Sequence, residues 1–224
     1  VGAGLSVDAG FVNWRQLLKD IAEELDLDIE QEWDLPGVAQ YYLDGNNQDR
    51  SRLNQMLLDE FRPANTRTSP SHRLLAQLPI RDVWTTNYDE CLEEAYRSAG
   101  RVTDVKRHNV PSSWTSDRPE KSVTIYKIHG DTTDVGNVIL SRDDYDTYQK
   151  KYPHVLPVLQ THMTQKSFLI VGFSLTDPNL DHVLSQLRSF FVRDQRPHWL
   201  VLKQEADAIS SRRQELRIRS LRRY

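Results

Sequence analysis

Apolar residues recur at helical spacing early in the chain. Trp14, Leu17, Leu18, Ile21 and Leu25 mark one helix face, just after the glycine-rich opening Gly2-Ala3-Gly4-Leu5-Ser6-Val7-Asp8-Ala9-Gly10. The same periodicity predicts helices over 36–43 and 50–61. Ser69 before Pro70 supplies an N-cap and a first-turn proline for a helix running to residue 78. The pattern then shortens: Val83-Trp84-Thr85-Thr86 reads as a β-rich strand that ends at Asn87-Tyr88-Asp89, ahead of a helix over 90–98. Strands over 123–128 and 167–171 run into His129-Gly130-Asp131 and Gly172-Phe173-Ser174-Leu175. Asp177-Pro178 caps a helix over 179–192, and 198–202 is a last strand candidate. Strands alternating with helices predict an α/β fold, a Rossmann-like doubly wound parallel sheet with helical insertions. In such a sheet ligands sit beyond the carboxyl ends of the strands, where each polar motif falls.

The 224 residues suffice for one well-buried domain, and a single domain over 1–224 is expected. A formal net charge of −3 offers no global attraction to nucleic acid or to a membrane surface. No apolar run approaches the roughly 20 residues that span a bilayer, so a soluble, cytoplasmic protein is expected. The single cysteine, Cys91, excludes an internal disulfide and any tetrathiolate zinc site within the chain. Val1 lies directly against the glycine run, where a strand would be expected to precede it, which suggests a fragment of a longer chain. Six arginines interleaved with Leu216, Ile218 and Leu221 over 209–224 read as an amphipathic helix leading into a further domain.

Glycines allow backbone N–H groups to approach a pyrophosphate closely. The strict dinucleotide fingerprint fails here, because valine stands at position 7 and no acidic residue closes a second strand about 20 residues later. An ordinary NAD(P) dehydrogenase is therefore a poor match. His72, His108, His154, His162, His182 and His198 show no metal-ligand spacing, so no metal is expected. Ser6 and Ser174 lack a nucleophile-elbow context, and Cys91 sits in a helical pattern that favours packing.

Four elements stand in order: the GAGxSxxxG run, Thr86-Asn87-Tyr88-Asp89, Ile128-His129-Gly130-Asp131, and Gly172-Phe173-Ser174-Leu175. This order resembles the sirtuin family, across nearly the whole chain. Deacylating sirtuins carry a zinc module of four thiolates, which one cysteine cannot build. They also carry a proline-aspartate-phenylalanine-arginine stretch where this chain has Phe11-Val12-Asn13-Trp14. With Leu140-Ser141-Arg142-Asp143-Asp144-Tyr145, these departures resemble the zinc-free sirtuin-like domains of bacterial antiphage defence proteins.

The resemblance implies NAD as substrate, cleaved to nicotinamide and ADP-ribose or a cyclic form, with NAD depletion as the defence. It implies His129 as base, acting on a ribose hydroxyl or on water. Imidazole suits this because it exchanges protons near neutral pH. Asn87 can position water and ribose without adding charge. Gly2, Ala3, Gly4, Ser6, Gly172 and Ser174 are expected to hold the diphosphate, with Asp8 near the ribose. Asp89 either binds ribose or caps the following helix. A homo-oligomer, or a partner such as an ATPase or translocase or an Argonaute-type protein, is expected to control the site. Direct nucleic-acid binding and membrane association are not expected. An NAD-dependent deacylase and a non-catalytic NAD or ADP-ribose sensor are the alternatives.

Overall fold

The computed structural model describes residues 1–115, 123–172, 197–202 and 208–221. The chain forms two compact units, Val1–Val155 and Leu156–Tyr224. The first unit is built on three parallel strands, β1 (Asp82–Thr85), β2 (Thr103–Arg107) and β3 (Val123–Lys127), in the order β1-β3-β2. Every residue of the central strand β3 is buried, Thr124 and Lys127 included, which suits its reading as an apolar strand.

Alternation along the strands separates two faces. On one face Trp84 stacks on its cross-strand neighbour Tyr126, with ring centroids 4.2 Å apart, and Trp114 of helix α8 (Pro111–Thr115) packs against both. On the other face lie Val83, Ile125 and Lys127, facing α7 (Cys91–Ser98) and its buried Glu93. Helices on both faces of a parallel sheet make this the doubly wound α/β architecture expected.

Strand β2 lies where the sequence pattern predicts no strand. Its buried face carries Asp104 and Lys106, which neutralise each other at 3.2 Å, and Lys106 also donates to the Ser113 carbonyl. A strand whose inward residues are charged gives no apolar alternation to read.

The helices ahead of the sheet are α1 (Gly4–Asp8), α2 (Trp14–Leu17), α3 (Lys19–Glu24), α4 (Leu35–Gly45), α5 (Ser51–Phe61) and α6 (Pro70–Gln77). The glycine-rich opening, expected as a loop, coils into α1 and turns out at Gly10, whose φ of +97° favours glycine. The helix expected from Trp14 divides at Leu18; Asn13 starts its first part with a capping box shared with Gln16. Ser69 caps α6 as expected. These helices bury Leu18, Ile21, Val38, Leu53 and Leu57 in one core that also takes in Tyr88 and Cys91.

After β3, a 3₁₀ segment (Thr132–Asn137) leads to α9 (Arg142–Lys151), started by a Ser141–Asp144 capping box. The second unit contains nearly all of α10 (Val155–Gln165), which begins at the boundary residue, and the parallel pair β4 (Leu169–Ile170) and β5 (Trp199–Leu200). Its last described helix is Ala208–Leu221, where the arginine-rich segment was expected to be helical. Strands expected over 167–171 and 198–202 are therefore two-residue ladders. Ser174, Asp177, Asn179, His182 and the helix expected over 179–192 lie outside the described residues.

Candidate active site

Two turns at the carboxyl edge of the three-stranded sheet build the site. Thr85 pairs with Lys127 in the β1–β3 register, and the Ile128 N–H continues the ladder by donating to the Thr85 carbonyl at 3.1 Å. Asn87 and His129 each lie two residues beyond that matched pair. Parallel register thus sends both turns off the same edge of the sheet, from strands that lie side by side.

The hydrogen bonds of Asn87 fix its amide. Nδ2 donates to the Gly2 carbonyl at 3.2 Å and to Ser6 Oγ at 2.8 Å, and Ser6 Oγ in turn donates to Asp89 Oδ2 at 2.6 Å. A backbone carbonyl only accepts, so the NH₂ end must face Gly2. The Asn87 Oδ1 is then left as a buried acceptor with no hydrogen-bond partner among the described residues. Buried acceptors in such a state mark places where a ligand or water belongs.

His129 is buried, with its ring edge-on to Tyr145 at 5.4 Å between centroids. The next residue, Gly130, has φ +81°, and a Cβ there would lie 2.8 Å from Cε1 of His108. Glycine is thus required twice over, by conformation and by contact. His108 is itself buried, with Nε2 2.9 Å from the Asn137 carbonyl; burial pushes its pKa down to about 4. The two turns are stitched through Ile139: Tyr88 Oη donates to its carbonyl at 2.7 Å, and its N–H donates to the His129 carbonyl at 3.1 Å.

The other expected residues divide. Gly2, Ala3, Gly4 and Ser6 start α1 beside Asn87, but the Ser6 hydroxyl is spent between Asn87 and Asp89. Asp89 performs the helix-start role: its second oxygen accepts from the Cys91 N–H at 2.9 Å. Asp8 is exposed and accepts from Ser71 Oγ at 3.0 Å. Gly172 is a bend with φ +61° just after β4, in the second unit. Sequence reasoning missed Tyr88, His108 and Lys127. Tyr88 stands inside one motif and Lys127 directly before another, whereas His108 adjoins none of them.

Folding also assembles a group that spacing did not show: His72, Asp89 and Cys91, all buried, each offer a ligand atom within 4.8 Å of the others. The donor chemistry suits packing better than a metal. Both Asp89 oxygens are already occupied, and the Cys91 thiol donates to the Arg67 carbonyl at 2.9 Å. Burial, reinforced by the Asp89 charge, pushes the thiol pKa up, away from the thiolate that a metal needs.

Fold and site together define a Rossmann-like α/β domain whose polar residues gather at the carboxyl ends of parallel strands. Within that class the chain belongs to the SIR2-like domain family, which matches residues 81–222. It is 41% identical over 232 residues to the NAD(+) hydrolase ThsA of Bacillus cereus (strain MSX-D12), covering 100% of this chain and 48% of that protein. It is 41% identical over 202 residues to the NAD(+) hydrolase ThsA of Acinetobacter baumannii (strain 532279), covering 90% of this chain and 41% of that protein. Defense-associated sirtuin 2 of Bacillus subtilis is 27% identical over 205 residues, 84% of this chain and 19% of its own length. The chain thus spans about half the length of the ThsA relatives it matches.

Proposed function

We propose that this chain is the NAD glycohydrolase domain of a longer antiphage defence protein, working as one catalytic domain with helical insertions. The observation that supports the reading is that Asn87 and His129 each follow the matched pair Thr85–Lys127 by two residues, with the Asn87 Oδ1 left as a buried acceptor. The names of the ThsA relatives support NAD as the substrate.

Asn87 Oδ1 accepts a hydrogen bond from the attacking water and aligns it with the anomeric carbon of the nicotinamide ribose. The C–O bond forms as the C–N bond breaks, and the bonding pair leaves with neutral nicotinamide. The proton released by the water passes to the His129 imidazole, directly or through a ribose hydroxyl, and then to solvent. If a hydroxyl or ring nitrogen of the substrate attacks instead, the same site gives a cyclic product. Backbone N–H groups of Gly2, Ala3 and Gly4 contact the diphosphate, with Gly172 and Ser174 in the same role and Asp8 near the ribose. Ser6 and Asp89 serve through Asn87. The chemistry requires no metal, since the leaving group already carries the positive charge.

The protein acts in the cytoplasm, where NAD is available. A homo-oligomer, or a defence partner such as an ATPase, translocase or Argonaute-type protein, holds it silent until infection. No helix among the described residues is long and apolar enough to cross a membrane. The test is nicotinamide release from NAD alone, with no acyl-lysine peptide, by the full-length protein. His129→Ala and Asn87→Ala are each expected to slow release by ~10²–10⁴-fold while NAD binding by calorimetry persists. Release at the parent rate by either folded variant would remove the catalytic pair. Release that requires an acyl-lysine peptide would return the deacylase.

A further inference from the structure

The Lys127 ammonium is completely buried beneath the site and meets three elements at once. It donates to the Asp89 carbonyl at 2.7 Å, lies 2.9 Å from Glu93 Oε1 in the first turn of α7, and lies 3.3 Å from Asp131 Oδ2. Asp131 is held in turn by Arg107 Nε at 2.7 Å and accepts from the Thr133 N–H at 3.0 Å. Burial alone would lower the lysine pKa, but Glu93, Asp131 and Asp89 outweigh it and keep the ammonium charged.

We propose that Lys127 is a positioning residue that locks the 87–89 turn and the 129–131 turn into one register, so that Asn87 and His129 address the same ribose. The proposal rests on the NAD-cleaving reading above. Stability alone is a weak reason for this arrangement, since a well-packed apolar side chain usually stabilises a core as well as a buried ion cluster does. What an ammonium adds is direction. It donates to the Asp89 carbonyl and forms ion pairs with Glu93 and Asp131, and each of these partners sits in a segment that must be placed: the Asp89 turn that orients Ser6 and Asn87, the start of α7, and the residue closing the His129-Gly130 step. Lys127 itself lies two residues before His129, so its side chain ties the end of β3 to the turn after β1. A misplacement of about 1 Å between reacting groups can cost ~10²-fold in rate.

The experiment compares the full-length protein with Lys127→Met, and with Lys127→Met/Glu93→Gln, in which no carboxylate of α7 is stranded opposite the missing charge. Nicotinamide release is measured across NAD concentrations, and the Asn87 side-chain amide signals are followed by NMR in ¹⁵N-labelled protein. The proposal expects a folded variant whose kcat falls roughly 10²-fold with KM near the parent's. It also expects the two Asn87 Nδ2–H signals, well separated in the parent, to collapse towards free-amide positions. A folded variant with the parent's kcat and the parent's Asn87 signals overturns it. If the parent itself releases no nicotinamide, the NAD-cleaving reading fails, while the Asn87 signals still decide whether Lys127 holds the turn.

Discussion

Acidification is expected to destabilise the first unit in part through His108. The ring is fully buried, with Nε2 bound to a carbonyl that only accepts, so the neutral ring carries its proton on Nε2. Its Nδ1 has no hydrogen-bond partner among the described residues. Protonation would therefore place a charge in a fully buried ring. Burial accordingly lowers the pKa to about 4 from an ordinary 6.5.

Between those values the unfolded chain binds more protons than the folded one. The stabilisation is complete above about pH 6.5 and disappears as pH falls towards the folded value. The gap corresponds to about 3 kcal/mol, at ~1.4 kcal/mol per pKa unit. Burial lowers the pKa of His72 in the same sense, whereas Glu93, raised by burial, acts in the opposite one. Both are common to parent and variant, so their difference isolates His108. The assay is denaturant unfolding of the parent and His108→Gln at about pH 7, 5.5 and 4.5. The variant is expected to show a shallower slope than the parent over that interval. A His108→Gln protein that keeps the parent's full pH dependence would overturn this role for His108.

Gly130→Ala is expected to destabilise by about 1–3 kcal/mol and to reduce turnover, because its φ of +81° and the His108 contact both oppose a Cβ; thermal melts with nicotinamide release check it. Burial would raise the Asp144 pKa, but Arg50 at 2.8 Å and the Leu140 and Ser141 N–H groups hold it below the carboxylate range. Its stabilisation is present above about pH 4 and lost as pH falls further. Asp144→Ala is expected to cost about 2–3 kcal/mol in denaturant unfolding near neutral pH, less than a fully buried pair because Arg50 is 21% exposed. Cys91, buried and with its thiol pKa pushed up, is expected to resist iodoacetamide until the chain unfolds, which mass spectrometry reads directly.

The local pieces of the fold were legible in the amino-acid order. Helix starts at Asn13, Ser69 and Ser141 are set by side chains reaching backbone N–H groups three residues on, and two of these belong to helices that the pattern already predicted. The apolar run into His129 and the β-rich run into Asn87 could be read as strands ending on polar turns, which was enough to nominate both residues. What those residues face is set by long-range contacts. Parallel register sends the Asn87 and His129 turns off the same sheet edge, and hydrogen bonds to Gly2 and Ser6, 85 and 81 residues away in the chain, fix the Asn87 amide. Strand β2 and Lys127 stayed hidden for a single physical reason. A charged residue reads as solvent-facing, and it becomes a core residue only when folding brings counter-charges such as Asp104, Glu93 and Asp131 to it from other positions along the chain.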